Sequence, residues 1–267
     1  MCPSQIVSNF QAIIYEKHNG IGYVTLNRPQ VLNIYNLQMR DELYQVLSAI
    51  KDDPEVRVVI FNGAGERAFC AGADLSEFLT APSPVIARQV RWERDVWGLF
   101  LSLPQPLIAA LQGYVLGSGI EIALCCDLRI ASEDARFGLP EVSLGIIPAA
   151  GGTQTLPRTI GRAKSLEMLL TGRWIDAEEA LTVGLINRVV PRKELLSTAE
   201  GIAEKVSRAG VAVKYAKEAV KRGVDMPLGE GLELERQIAS LVLSTEDALE
   251  GVRAFLEDRL PHFQNRW

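Results

Sequence analysis

The chain has 267 residues, of which 48% are hydrophobic and 23% are charged, a balance typical of a globular protein with a substantial core. Its formal net charge is -5, so it lacks the overall positive field that attracts nucleic acids or anionic membrane surfaces. The composition therefore predicts no nucleic-acid partner and no membrane partner, and any anionic ligand must be held by local groups.

The chain opens with a pattern typical of a β-hairpin. Two β-rich segments, 12–17 and 22–26, flank Asn19-Gly20, a dipeptide that favours a tight two-residue turn. Helical and strand patterns then alternate as helix 37–51, strand 56–61, helix 85–103, strand 107–111, a helix from Gly119 and strand 128–131. This alternation predicts an α/β fold of stacked or wound units.

The last quarter of the chain has a different pattern. Strand patterns stop at about Lys193, and helical patterns follow at 195–206, 211–222, 229–243 and 245–256. We therefore predict a core region, 1–192, that carries the site, and a helical C-terminal region, 193–267, that packs against the core or a neighbouring subunit.

Targeting and cysteine patterns favour the cytoplasm. Residues 1–6 lack a basic segment followed by an apolar run, so they predict no secretory signal. The longest apolar stretch, 107–126, is interrupted by glycines and by Glu121, which argues against a membrane span. The cysteines show no CxxC or zinc-binding spacing and are expected to be reduced and structural; they are Cys2, Cys70, Cys125 and Cys126.

Two turns rich in small residues are candidates for recognising a ligand through the backbone. They lie at 71–74 and 117–119, and small side chains there leave backbone N–H groups accessible. The N–H groups of Ala73 and Ser118 would together be able to hold a developing anion. Taken alone, each turn is also compatible with an ordinary tight turn.

Two glutamates close to these turns are candidates for proton transfer. Glu121 lies in the first turn of an apolar helix, and Glu141 follows Pro140 in an apolar stretch. The alternatives are a carboxylate favoured by the helix dipole at Glu121 and an acidic first turn at Glu141. A mechanism based on histidine is disfavoured, because His18 and His262 lie near opposite ends of the chain.

Together these motifs resemble the enoyl-CoA hydratase/isomerase, or crotonase, superfamily over nearly the whole chain. The matching segments are Leu26-Asn27-Arg28-Pro29 with Leu32-Asn33, Ala68 to Asp74, Gly113-Tyr114 with Gly117 to Glu121, Cys126 to Ala131, Phe137 to Gly152, Leu156-Pro157-Arg158, Ala180 with Val183-Gly184-Leu185, and Glu250-Gly251 with Ala254-Phe255. The resemblance implies a spiral of ββα units forming two nearly perpendicular sheets, a helical C-terminal region and assembly into homotrimers or hexamers.

The resemblance also implies an acyl-CoA thioester as the ligand. The thioester carbonyl would bind to the N–H groups of Ala73 and Ser118, and the loop Ala71-Gly72-Ala73-Asp74 would help to hold the adenine end of CoA. Glutamates at both positions, Glu121 and Glu141, are a feature of the hydratases of this family.

The chain departs from the family pattern at two positions. Ser118 stands where many relatives have glycine, but a backbone donor tolerates a small side chain. Ser76 stands where many have lysine, so the CoA phosphates are expected to find Arg28, Arg67 or a basic residue of the C-terminal region. Our predicted CoA-binding set comprises Arg28, Ala71, Gly72, Ala73 and Asp74.

The predicted activity is reversible hydration of an α,β-unsaturated acyl-CoA to a 3-hydroxyacyl-CoA, with no metal or redox cofactor. Glu121 and Glu141 would hold the water, one acting as base and the other as acid, and the sequence leaves their assignment open. Double-bond isomerisation with one glutamate, hydrolysis with Ser118 as nucleophile, and non-catalytic binding are the alternatives.

The acyl pocket is expected to draw on residues between 75 and 103, although apolar residues at helical spacing are more often plain core. The candidates are Phe78, Trp92, Val96, Trp97 and Phe100. Straight-chain, branched and cyclic acyl groups all remain possible.

Overall fold

The computed structural model describes residues 10–77, 83, 85–86 and 93–264. Its larger sheet has six strands, which lie side by side in the order β1 (Ile13–His18), β2 (Ile21–Leu26), β3 (Val58–Gly63), β5 (Leu107–Leu111), β7 (Leu128–Ser132) and β10 (Arg188–Val190). β1 and β2 form the predicted antiparallel hairpin, and the other neighbours are parallel.

The smaller sheet has four short strands, in the order β4 (Ala68–Cys70), β6 (Tyr114–Leu116), β8 (Arg136–Gly138) and β9 (Ile175–Asp176). β4, β6 and β8 are parallel to one another, whereas β9 runs antiparallel to β8. Because parallel strands end at the same edge of a sheet, the segments that follow β4, β6 and β8 meet along one line.

Helices pack against both sheets. The α-helices of the described residues are α1 (Leu37–Asp52), α2 (Val96–Ser102), α3 (Ser118–Cys125), α4 (Gly152–Ile160), α5 (Arg162–Thr171), α6 (Ala177–Thr182), α7 (Leu195–Ser207), α8 (Ala212–Gly223), α9 (Leu228–Leu243) and α10 (Glu246–Leu256). Their bounds confirm the helices predicted at 37–51 and beyond 193. Of the helix predicted at 85–103, residues 96–102 form α2, Arg94 and Asp95 are not helical, and residues 87–92 lie outside the described residues.

Both faces of the larger sheet are buried. Along β3, Val59 and Phe61 belong to the main core, whereas Val58 and Ile60 face α7 on the other side. This period of two within a continuous apolar run is typical of a strand covered on both faces. The predicted boundary at 192/193 stays a prediction, and α7, just beyond it, packs directly on the sheet.

The C-terminal helices are also tied to the core by a shielded lysine. Lys217 on α8 lies 2.7 Å from Asp127 Oδ2 and donates to Gln105 O at 2.7 Å, and its side chain is 8% exposed. Burial lowers the pKa of Lys217, and the charge of Asp127 opposes that shift. The contact therefore links α8 to the segment that follows α3.

The described cysteines fit the structural role predicted for them. Cys70, Cys125 and Cys126 are buried and unbridged. Burial raises the pKa of Cys70 and of Cys125 to about 12, so both thiols keep their protons at neutral pH. Cys2 lies outside the described residues. None of the described helices combines the length and apolar character needed to cross a bilayer.

Candidate active site

Three loop segments converge at the carboxyl edge of the smaller sheet. The 71–74 turn follows β4, α3 begins two residues after β6, and a short 3-10 helix, Pro140–Leu144, follows β8. The pairing of Leu116 with Gly138 places the last two segments side by side. The strand order therefore brings both predicted turns, 71–74 and 117–119, and both candidate glutamates, Glu121 and Glu141, to one edge of the sheet.

Glycines allow these segments to approach closely. A Cβ atom added to Gly117 would lie 3.2 Å from Gly72 Cα and 3.0 Å from Glu141 Oε1, and Gly117 has a φ of 51°. A Cβ added to Gly119 would lie 2.2 Å from Cys70 O, so the first turn of α3 lies directly on β4. The 71–74 and 117–119 turns therefore pack directly against each other.

The backbone of the 71–74 turn directs one N–H group away from its neighbouring segment. Tyr35 N–H donates to Gly72 O at 2.8 Å, and Asp74 N–H donates to Tyr35 O at 2.8 Å. Tyr35 and Ala73 thus form a parallel bridge, in which the N–H of Ala73 points to the opposite side. No described residue accepts a hydrogen bond from that N–H.

The second N–H without an acceptor among the described residues belongs to Ser118, the first residue of α3. First-turn N–H groups have no partner within their helix, and no described residue supplies one to Ser118. Ala73 and Ser118 each follow a member of the Gly72–Gly117 contact, so both donors lie beside that contact. Together with the N-terminal end of the α3 dipole, this arrangement suits an oxyanion.

Glu121 is held firmly in the first turn of α3. It is 3% exposed, and its Oε1 accepts hydrogen bonds from Ala150 N–H at 2.8 Å and from Gly152 N–H at 3.0 Å. A carboxylate only accepts hydrogen bonds, so two N–H donors on one oxygen suit the ionised form. A Cβ on Gly152 would come within 3.0 Å of the same oxygen, which makes glycine the fitting residue there.

Glu141 has a different environment from Glu121. It is partly buried, and no described residue forms a hydrogen bond with its buried Oε2 atom. Burial, followed by the negative charge of Glu121, raises the pKa of Glu141 above the ordinary value of a glutamic acid, and a hydrogen bond from its own backbone opposes the shift. One carboxyl group is therefore suited to accepting a proton and the other to donating one.

Three of the predicted CoA-binding residues, Ala71, Asp74 and Arg28, form contacts within the protein itself. Ala71 N–H donates to Leu32 O at 3.1 Å, and Asp74 forms an ion pair with Arg28 at 3.2 Å. The Arg28 guanidinium thus points to the turn itself. Arg67, the other basic residue considered in this segment, is exposed.

The apolar residues proposed for the acyl pocket separate into two groups. Val96 and Phe100 are buried core, and Phe100 packs on Phe61 at a centroid distance of 5.1 Å. Trp97 is only partly buried and lies 5.7 Å from the ring of Tyr35, next to the 71–74 turn, so it stays a candidate. Phe78 and Trp92 lie outside the described residues.

The contacts of Ala150 and Gly152 with Glu121 were not foreseen from the sequence. The only available signal was the run of small residues at 150–152, which follows Glu141. The bridge from Tyr35 to Ala73 was missed as well, because it joins segments 38 residues apart and Tyr35 belongs to no strand pattern.

The site has the parts of an acid–base enzyme that stabilises an oxyanion, and comparison with known proteins agrees with this class. The family model for enoyl-CoA hydratase/isomerase matches residues 16–266. The chain therefore belongs to the enoyl-CoA hydratase/isomerase family, as its motifs predicted.

Individual relatives match over almost their full length. A probable enoyl-CoA hydratase of Mycobacterium bovis is 41% identical over 260 residues, which cover 96% of this chain and 99% of that protein. A short-chain-enoyl-CoA hydratase of Clostridium acetobutylicum is 43% identical over 256 residues, covering 95% of this chain and 98% of the relative. The crystal structure of an enoyl-CoA hydratase from Bacillus anthracis matches with a TM-score of 0.91 and 43% identity, covering 96% of this chain and all of that one. These matches confirm the predicted crotonase fold.

Proposed function

We propose that the protein adds water reversibly across the α,β double bond of an enoyl-CoA thioester to give a 3-hydroxyacyl-CoA. The observation that carries this proposal is that two carboxyl groups lie at one sheet edge beside two backbone N–H groups for which no described residue is an acceptor. Relatives named as enoyl-CoA hydratases support the same reaction.

In the proposed mechanism, Glu121 takes a proton from water as the water oxygen bonds to the β-carbon. The π electrons move towards the thioester, and the N–H groups of Ala73 and Ser118 stabilise the negative charge on its oxygen. Glu141 then delivers its proton to the α-carbon, and before the next turnover Glu121 loses a proton to solvent and Glu141 regains one. The sum is addition of one water with no net oxidation, so the proposal needs no metal or redox cofactor.

The different environments of the two glutamates support this assignment of acid and base. The N–H groups of Ala150 and Gly152 donate to Glu121 Oε1 and favour the ionised form of Glu121 before the reaction. The raised pKa of Glu141 favours its protonated form. Double-bond isomerisation would use one glutamate as a proton shuttle and would not need the second.

The function is tested directly with crotonyl-CoA and a 3-enoyl-CoA. Hydration removes the conjugated enoyl-thioester absorbance of crotonyl-CoA and incorporates ¹⁸O from labelled water into the product. Growth of that absorbance from the 3-enoyl-CoA without ¹⁸O uptake would favour isomerisation, and release of free CoA thiol would favour hydrolysis.

The rate of hydration is expected to fall as the pH rises through the pKa of Glu141, because the general acid loses its proton. Since burial and Glu121 both raise that pKa, the alkaline limb of kcat/KM should lie above the ordinary glutamic acid value. Glu121→Gln removes the negative charge and should move this limb towards lower pH in the residual activity. If the alkaline limb of kcat/KM stayed at the same pH in Glu121→Gln, the proposed effect of the Glu121 charge on the pKa of Glu141 would be contradicted.

We further propose that the protein assembles as a homotrimer or hexamer. The C-terminal helices support this proposal because they expose large apolar side chains, including Leu228 (78%), Phe255 (84%) and Leu256 (77%). Monomeric proteins rarely leave so much apolar surface in contact with water.

Light scattering is expected to give a trimer or hexamer at micromolar concentration, and Val252→Glu combined with Leu256→Glu should reduce the mass. Both residues are exposed and lie on one face of α10, so charge there should oppose burial at an interface without disturbing the core. The matched control is Lys205→Glu, at an exposed position on α7. A monomeric wild type would contradict the proposed assembly.

The proposed location is the cytoplasm. Three buried cysteines remain unbridged in the described residues, and free thiols are typical of reducing compartments.

A further inference from the structure

The loop of residues 28–35 holds the 71–74 turn along its whole length. Three backbone hydrogen bonds join them: Ala71 N–H to Leu32 O at 3.1 Å, Tyr35 N–H to Gly72 O at 2.8 Å, and Asp74 N–H to Tyr35 O at 2.8 Å. Two of these hydrogen bonds engage Gly72 O and Asp74 N–H, the backbone groups on either side of Ala73. The direction of the Ala73 N–H therefore depends on the position of this loop.

The loop itself has an unfavourable backbone conformation. Leu32 and Asn33 have φ values of 59° and 55°, in the left-handed region that ordinary residues seldom occupy. Consecutive residues of this kind persist only when their surroundings hold them in place. Asn33 is fully buried, and its side chain accepts from Arg28 N–H and donates to Ala64 O and Ala68 O.

Arg28 connects the loop and the turn through its side chain. Its Nη1 donates to Ile34 O at 2.8 Å, and Nη1 and Nη2 both lie 3.2 Å from Asp74 Oδ2. The other oxygen, Asp74 Oδ1, accepts from the Ser76 hydroxyl at 2.6 Å and from Ser76 N–H at 3.2 Å. The hydrogen bonds from Ser76 and the guanidinium of Arg28 keep the pKa of Asp74 below its ordinary value, with burial opposing the shift.

The ion pair is shielded from water, since the side chains of Arg28 and Asp74 are 20% and 14% exposed. A planar guanidinium that bonds a carbonyl and a carboxylate at once is held in one orientation. Its known contacts are therefore with the loop and the turn. This arrangement suits a residue that supports the turn better than one that extends to bind a phosphate.

We propose that Arg28 and Asp74 form a positioning pair for catalysis, which fixes the Ala73 N–H where the thioester oxygen becomes negatively charged. The inference rests on the proposed hydratase function and revises the CoA-binding role expected from the sequence for the side chains of Arg28 and Asp74. Neither side chain takes part in proton transfer. Both act through the backbone of the 71–74 turn, so their loss should affect the transition state more than the binding of CoA.

Kinetics of Asp74→Asn, Arg28→Gln and the double variant test the proposal. Each single change should lower kcat by about 10- to 10²-fold, the scale expected when a reacting group is misplaced by about 1 Å. KM should change much less. The kcat of the double variant should be close to that of the less active single variant. Additive losses would show that the two residues act separately and would overturn the proposal.

A substrate without phosphates separates positioning from phosphate binding. With an enoyl-pantetheine thioester, the kcat loss of Arg28→Gln should persist, because the turn is still distorted. If Arg28 instead binds a CoA phosphate, its loss will appear in KM for the CoA ester and disappear with pantetheine. That outcome would overturn the positioning role.

The matched control is Asp53→Asn. Asp53 forms an ion pair with Lys17 at 2.8 Å, with side-chain exposures of 22% for Lys17 and 27% for Asp53, at the opposite end of α1 from Tyr35. Its kcat should match the wild type. If the neutral site variants fail to fold, Arg28→Lys supplies the same test, because it keeps the charge but replaces the planar fork by one nitrogen. A smaller kcat loss is expected there, and wild-type kcat would overturn the proposal.

A chromophoric ligand provides a readout that does not require turnover. The absorbance of 4-aminocinnamoyl-CoA should move to longer wavelength when two N–H groups polarise its carbonyl, and the shift should be smaller in Asp74→Asn and Arg28→Gln at saturation. An unchanged shift in both variants would overturn the positioning role alone. A wild type that shifts the band but hydrates no enoyl-CoA would instead defeat the proposed function.

Discussion

Glu121→Gln and Glu141→Gln are each expected to lower the rate of hydration by about 10² or more, the usual scale for losing acid–base assistance. Glutamine has the same shape as glutamate, and at position 121 its carbonyl oxygen can still accept from Ala150 and Gly152. Folding and binding of a CoA ester should therefore survive. Steady-state kinetics and calorimetric titration with a saturated acyl-CoA measure the two effects.

The control for these variants is Glu42→Gln. Glu42 is also a buried glutamate, 7% exposed, and it accepts hydrogen bonds from the backbone N–H groups of residues 11–13, away from the site. Its substitution should leave kcat unchanged while lowering the melting temperature. If folded Glu121→Gln or Glu141→Gln kept wild-type turnover on the best substrate, the role assigned to that glutamate would be wrong.

Proton exchange distinguishes the two glutamates. In D₂O, the wild type should exchange an α-proton of butyryl-CoA, because the group that protonates the α-carbon also removes a proton from it. Glu141→Gln should abolish the exchange, whereas Glu121→Gln should retain much of it. The reverse pattern would exchange the acid and base roles without affecting the reaction class.

Ser118→Pro is expected to lower turnover by about 10² to 10³, the scale of losing one oxyanion-hole donor. The change removes an N–H that has no described acceptor, at the first helical position, where proline is commonly found. Ser118→Ala and Ser118→Gly keep the donor and should retain most activity. Kinetics with the best enoyl-CoA substrate measure all three variants.

Arg162→Pro controls for the effect of proline itself. Arg162 is the exposed first residue of α5 and follows a glycine, as Ser118 does in α3. This variant should keep wild-type kcat. An inactive but folded Ser118→Ala, together with an acyl-enzyme trapped from the wild type, would replace the hydratase proposal by covalent hydrolysis.

The first five strands of the larger sheet and most of the described helices were predictable because their patterns are local and long enough to recognise, whereas β10, α4, α5 and α6 were not predicted. Strand 107–111 was predicted at the bounds that the structure has, and the hairpin, α1 and the C-terminal helices differ by one or two residues. In these elements, burial on one or both faces follows directly from the apolar spacing. Local patterns and tertiary packing therefore agree there.

The smaller sheet was missed for a physical reason. Its strands contain two or three residues, which is too few for a period of two to be visible. β4 and β6 immediately precede the segments predicted as turns, and no strand was predicted for them; the paired residues of β8 and β9 are about 40 positions apart in the sequence. The candidate residues were identified by resemblance and chemistry, but their assembly at one edge is a tertiary property.

The first turn of α3 also limits how far the site can vary in evolution. Ser118 is 8% exposed, so position 118 suits a small side chain even though its backbone performs the proposed task. Any side chain at Gly119 would collide with Cys70 O, 2.2 Å from an added Cβ. A library randomised at both positions should thus return small residues at 118 and glycine at 119.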